Sequence, residues 1–160
     1  MLDASYLNTI LAYDPLTGVL SNKVDRGRGK AGFVHQAKNS GGYIVLNLDG
    51  KLRRAQDLIW CMMTGSWPDL TVDHEDHDKA NNRWANLRLA TKWQNRANSK
   101  VNHNHKLGIK GVRQRGNRFA AHIRVAGEFI NLGTYDTPEE ASEAYLEAAQ
   151  IAFGEFACAG

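Results

Sequence analysis

The sequence predicts an α+β fold built as two small modules. Three observations carry this. Strand-like alternation returns in two separated stretches, around 43–55 and 110–132. Two capping-box signals, Thr91 to Gln94 and Thr137 to Glu140, each open a helix shortly after a strand. Between the two stretches Val101 to Leu107 (VNHNHKL) is polar and carries no periodic apolar residue, as a linker would. The modules are therefore expected over residues 1–100 and 108–160, with 101–107 joining them.

From Tyr13 to Arg54 the signals are short strands and turns, punctuated by Gly18, Gly27, Gly29, Gly32, Gly41 and Gly42. Tyr43 to Leu48 alternates, and Asp49-Gly50 suits a two-residue hairpin turn into Lys51 to Ala55. From Gln56 onward, Leu58, Ile59, Met62 and Met63 recur at helical spacing until Gly65 and Pro68, and such a stripe reads as core. A strand ending at Asp73-His74, a loop, a second strand near Leu87 to Ala90 and a helix from Lys92 complete the first module. In the second, Val112 offers a core contact from a strand that also carries Lys110, Arg113 and Arg115. Arg118 to Val125 alternates, with Phe119, Ala121, Ile123 and Val125 facing one way and Arg118, Ala120, His122 and Arg124 the other. Ala126-Gly127 turns the chain into a third strand, Phe129 to Leu132. Thr137-Pro138-Glu139-Glu140 then starts a helix whose stripe is Ala141, Ala144, Tyr145, Ala148 and Ile151 or Ala152, ended by Gly154. Three antiparallel strands packed on one helix result.

Charge narrows the function. The 160 residues carry a net charge of only +3, yet the 49 residues from Lys79 to Gly127 hold twelve cations and no anion. Such a run is a footprint for a polyanion, with a solvated basic face as its bland equivalent. Hydrophobic residues make up 42%, enough for a core, but no apolar stretch approaches the ~18 residues of a membrane helix. The opening MLDASYLN lacks the basic start and apolar segment of a secretory signal, so a cytoplasmic protein is expected. Cys61 and Cys158 show neither CxxC spacing nor a disulfide pattern.

The chemistry concentrates between Trp67 and Asn98. Asp73 and His74 are adjacent, Asn86 follows His74 by 12 residues and Asn95 by 21. An Asp carboxylate and an Asn carbonyl are hard oxygen donors suited to one Mg²⁺ or Mn²⁺ ion, which keeps waters and accepts phosphate oxygens as further ligands. Imidazole titrates near neutrality and can take a proton from an attacking water. Asn86 could hold His74 in orientation through its side-chain carbonyl. Taken singly, each residue has a plainer reading: a solvated histidine, a turn capped by Asn82, a polar loop of Asp76, His77 and Asp78. Their joint spacing in a strand–loop–strand–helix frame, beside the basic run, favours the catalytic one.

Val72-Asp73-His74, Asp78 to Arg83 (DKANNR), Trp84 to Thr91 (WANLRLAT) and Asn95 resemble the HNH endonuclease family, particularly phage and intron-associated HNH homing endonucleases. The turn-rich segment before them and Leu58-Ile59-Trp60 through Gly65-Ser66-Trp67-Pro68 extend the resemblance over roughly Tyr13 to Asn98. It implies a ββα-metal (His-Me finger) module with His74 as general base, Asp73 and Asn95 as metal ligands, Asn86 orienting His74 and Asn82 structural in the loop. Relatives often carry His-Arg where this chain has Gln56-Asp57. The second module resembles the APETALA-two/ERF DNA-binding domain in Gly111 to Arg115 (GVRQR), Arg118 to Arg124 (RFAAHIR), Leu132 to Tyr135 (LGTY) and Pro138-Glu139-Glu140-Ala141 with Ala144-Tyr145. That likeness implies Arg113, Arg115, Arg118 and Arg124, with Lys110, as DNA contacts. Relatives often have Trp near Phe119.

The expectation is a metal-dependent endonuclease of double-stranded DNA, a phage-type homing enzyme that nicks or cuts both strands. It would be a monomer or a DNA-induced dimer, without membrane or small-molecule cofactor. One rival is a non-catalytic DNA-binding transcriptional regulator with a relic HNH module. Another is a zinc-stabilised module using His74, His77, His103 or His105, whose histidines lack cysteine partners in finger spacing.

Overall fold

The computed structural model describes residues 2–27, 29–101 and 105–158. The chain divides into two compact units, Met1–Ala90 and Thr91–Gly160. The division falls after Ala90, upstream of the expected linker over 101–107, of which 102–104, including His103, lie outside the described residues. Among the described residues no helix is long and apolar enough to cross a membrane.

The first unit opens with α1 (Ala4–Ile10), whose first turn is capped by the Asp3 carboxylate accepting from the Tyr6 N–H. β1 (Leu11–Asp14) and β2 (Val19–Asn22) form an antiparallel hairpin. β3 (Val45–Leu48) and β4 (Lys51–Arg54) form a second, closed by Asp49 and Gly50 with φ of 51° and 77°. That is the two-residue turn the Asp-Gly pair requires. α2 (Ala55–Thr64) follows, and Gly65 ends it in the left-handed region at φ 84°. β5 (Thr71–His74) then pairs antiparallel with β6 (Leu87–Ala90), His74 opposite Leu87 and Asp73 opposite Arg88. Leu7, Leu11, Leu20, Leu48, Leu58, Ile59 and Val72 form the core of this unit. Met63, expected in the α2 stripe, is 43% exposed, whereas Met62 packs against the core.

α2 also carries an anomaly. Gln56 is fully buried, and neither its amide oxygen nor its amide nitrogen has a hydrogen-bond partner among the described residues. Its neighbour Asp57 instead reaches back to Arg54 at 3.0 Å. A buried amide without partners costs stability that an apolar residue of the same shape does not. Gln56→Met is therefore expected to stabilise the chain by about 1 kcal/mol, read from urea unfolding midpoints at unchanged slope.

In the second unit α3 (Lys92–Asn98) begins at the predicted capping box, with the Thr91 hydroxyl accepting from Gln94 N–H and the Gln94 side chain from Thr91 N–H. β7 (Val112–Arg115), β8 (Arg118–Val125) and β9 (Glu128–Tyr135) make one antiparallel sheet in that order. β9 runs past the expected Leu132 because a bulge accommodates one more residue. Ala121 pairs with Gly133 and His122 with Asn131, leaving Leu132 over. α4 (Pro138–Phe153) starts at the second capping box and packs on the sheet. Its buried line is Ala141, Tyr145, Ala149 and Phe153, a strict i, i+4 row, so Ile151 falls outside it at 83% exposed. Gly111, at φ 70°, lies directly against the Tyr145 ring, where any Cβ would clash.

Lys110 explains why α3 belongs with this sheet. Its Nζ donates to Ala97 O and, at 2.6 Å, to Ser99 O, the carbonyls at the end of α3. An ammonium there satisfies orphan acceptors and complements the helix dipole. Burial holds it below the ordinary lysine range. Expected as a DNA contact, Lys110 is turned inward as a helix anchor.

Candidate active site

His74 ends β5 with 3% of its surface exposed, and its Nε2 lies 3.0 Å from Asn82 Oδ1. A carbonyl oxygen accepts only, so it draws the N–H to Nε2 and leaves Nδ1 as the basic nitrogen. Asn82 is itself 2% exposed and is clamped from β1 and from the turn that follows it. The Tyr13 hydroxyl donates to Asn82 O at 2.8 Å, and burial together with Asp14 pushes that phenol up to about 12, so it stays protonated. Trp84 N–H donates to Pro15 O at 3.0 Å. Gly18, at φ 76°, closes the same turn so tightly that a Cβ would sit 2.5 Å from Arg83 N and 2.7 Å from Asn82 C. Trp84 meets Trp60 of α2 with ring centroids 5.1 Å apart, which braces the far side of the loop.

Asn86 lies elsewhere in the hydrogen-bond network. Its Oδ1 accepts from Asp76 N–H at 3.0 Å, and its Nδ2 donates to Asp76 Oδ1 at 2.9 Å and to Asn81 O at 2.8 Å. The two asparagines thus exchange the roles that sequence spacing suggested: Asn82 meets the histidine and Asn86 ties the loop. The physical reason is the β1–β2 hairpin, which presses residues 82–84 inward. Burial would raise the Asp76 carboxyl, but hydrogen bonds from Asn81, Asn86 and the Asp78 N–H, with His74 nearby, hold it below the usual carboxylate range.

Asp73, 6% exposed, receives Arg88 Nε on Oδ2 at 3.3 Å across the β5–β6 pair. A carboxylate offers about four lone-pair sites, and its hard oxygens are the donor type that a hard divalent cation takes. Among the described residues no three of His, Cys, Asp and Glu gather into a metal cage. A divalent ion held at Asp73 would need ligands from waters and phosphate oxygens, as Mg²⁺ prefers. Asn95 stands on α3, in the second unit. Tyr43 lies beside His74 at 6.0 Å between ring centroids, with Lys79 Nζ 4.9 Å from the Tyr43 ring. Sequence reasoning did not single out Tyr13, Gly18, Tyr43 or Arg88. Only Arg88 had a legible signal, its register opposite Asp73.

In the second unit the strand pairing settles which arginines share a face. Arg113 is opposite Ala120, Arg115 opposite Arg118, and Arg124 opposite Phe129. Directly paired residues project to the same side, so Arg113, Arg115, Arg118 and Arg124 stand together on the face away from Ala121 and Ile123. Arg118 also pairs with Asp136 at 2.9 Å. Both members of that pair are exposed, so the contact contributes little.

A buried histidine thus meets an asparagine carbonyl beside a strand-borne aspartate, and comparison with known proteins gives the family of the chain. The family described as HNH endonuclease matches residues 53–97. An uncharacterized HNH endonuclease of Acanthamoeba polyphaga mimivirus is 33% identical over 144 residues, covering 82% of this chain and 75% of the relative. The chain belongs to the HNH endonuclease family. A solved structure of the HNH homing endonuclease I-HmuI, described as one of DNA binding and cleavage, aligns over 93% of this chain and 90% of its own, with 21% identity and a TM-score of 0.41.

Proposed function

We propose that this protein is a metal-dependent endonuclease of double-stranded DNA, of the phage homing type and acting in the cytoplasm. The first unit cuts and the arginine-faced sheet places the cut. The observation that carries the reading is His74, buried, held through Nε2 by Asn82 and adjacent to Asp73. Nδ1 of His74 takes a proton from a water as its oxygen attacks the phosphorus. The bond to the 3′ oxygen breaks, and that oxygen takes a proton from solvent, leaving 5′-phosphate and 3′-hydroxyl ends. Asp73 would hold one Mg²⁺ or Mn²⁺; Asn95 as a further ligand and the ββα-metal layout are what the family resemblance implies. The ion supplies Lewis-acid stabilisation of charge on the phosphate and leaving oxygen. Arg88 keeps the Asp73 carboxylate in place, and Asn82 keeps the His74 tautomer.

Support for the placing role comes from the shared face of Arg113, Arg115, Arg118 and Arg124 and from the APETALA-two/ERF-like order of strands and helix. The test is direct. Purified protein with Mg²⁺ is expected to nick or linearise supercoiled DNA, and EDTA to abolish the reaction. Intact DNA under Mg²⁺ and Mn²⁺, with gel-shift binding retained, would establish the non-catalytic regulator instead.

A further inference from the structure

β7 spans four residues and β8 eight, so the sheet is stepped. Pairing on the β7 side runs from Arg115↔Arg118 to Val112↔Ala121, and His122 N–H then donates to Gly111 O at 2.8 Å. Beyond that bond β7 no longer accompanies β8, and the step opens a notch of about 300 Å³ between the sheet edge, α3 and α4. That volume is at the lower end of small-ligand sites. Its walls are aromatic and cationic: Trp93 and Arg96 from α3, His122 and Arg124 from β8, Phe129 from β9 and Tyr145 from α4. No carboxylate lines it among the described residues.

The walls are prepared for a flat ring carrying a negative charge. His122 stacks on Phe129, with centroids 5.1 Å apart and planes 26° from parallel, and its Nδ1 is buried without a hydrogen-bond partner among the described residues. Burial first, then Arg113, His105 and Arg124, hold this imidazole below its ordinary range, so at neutral pH it is an uncharged ring with a polar edge to offer. Trp93 lies over Gly127, where an added Cβ would be 3.5 Å from the indole. Phe129 is half exposed, and the Arg113 guanidinium carbon lies 5.6 Å from its ring centroid. Aromatic faces beside arginines are how proteins hold unpaired nucleotides: base against ring, phosphate against guanidinium.

The geometry points to a site for one unpaired nucleotide of the DNA substrate, with its base among Trp93, His122 and Phe129 and its phosphate at Arg96 and Arg124. This rests on the reading of DNA as substrate. It adds that the second unit recognises a nucleotide displaced from the duplex, in addition to surface contact with paired DNA.

The test uses the full chain in EDTA, to prevent cleavage, and two short duplexes differing by one extra unpaired 2-aminopurine nucleotide. Fluorescence anisotropy is expected to show the bulged duplex bound about tenfold more tightly, the scale of one stacked base, with the 2-aminopurine emission quenched. Phe129→Ala should remove the preference and the quenching, and Phe129→Trp should keep both. Ring exposure makes either variant foldable, which circular dichroism and thermal melting verify. Equal binding of both duplexes by the unmodified chain, or a preference surviving in Phe129→Ala, overturns the notch while leaving DNA binding intact. Binding of neither duplex overturns the DNA reading itself.

Discussion

His74→Ala should lower the rate of DNA cleavage by about a thousandfold without loss of DNA affinity, because removing a positioned general base costs ~10²- to 10⁴-fold. The magnitude follows from where the ring sits. It is 3% exposed, so solvent does not readily replace it, and its Nε2 is committed to Asn82 Oδ1. Single-turnover cleavage of a labelled duplex, beside gel-shift binding of the same duplex, provides the check. Asn82→Ala should run about 10- to 100-fold slower, as losses of orienting partners do. If Asn86→Ala shows the larger defect in rate at equal stability, the assignment of Asn82 as the orienting residue is wrong. Cleavage by His74→Ala at the unmodified rate would remove His74 from the mechanism.

Gly18→Ala should destabilise the first unit by about 3 kcal/mol and reduce cleavage with it, although Gly18 lies far from the motif in sequence. Two costs combine. A non-glycine residue at φ 76° carries backbone strain of ~1 to 3 kcal/mol, and its Cβ would lie 2.5 Å from Arg83 N, forcing the 82–83 backbone outward. That backbone carries the oxygen bonded by Tyr13 and the side chain that meets His74. Urea unfolding measures the first effect. Residual cleavage by the folded fraction measures the second, and it should fall below that of an equally destabilised variant such as Leu20→Ala. A chain that keeps its midpoint on Gly18→Ala would show that the hairpin turn does not position Asn82.

Much of the local structure was legible. The Asp49-Gly50 turn, the two capping boxes and the alternation of β8 are short-range devices, each set by residues within about four positions, and the structure forms them where the sequence places them. The basic face was legible for the same reason: a strand's period of two assigns Arg118 and Arg124 to one side. The α4 stripe is legible only in part, since Ala141 and Tyr145 fit either helical phase and the crossing of helix and sheet selects the one containing Ala149 and Phe153.

What the sequence determined alone is the chemical inventory and its class: Asp73-His74 at a strand end, the asparagines of the following loop, a family-specific order of residues, and a cationic run without a single acid. Tertiary structure decided which groups meet. Asn82 rather than Asn86 reaches His74 because a hairpin 65 or so residues earlier packs on the loop. Lys110 turns inward because two α3 carbonyls end beside it. A notch opens because β7 is shorter than β8. Each outcome depends on contacts between segments distant in sequence, and no local spacing encodes those, whereas caps, turns and strand faces are fixed by neighbours along the chain.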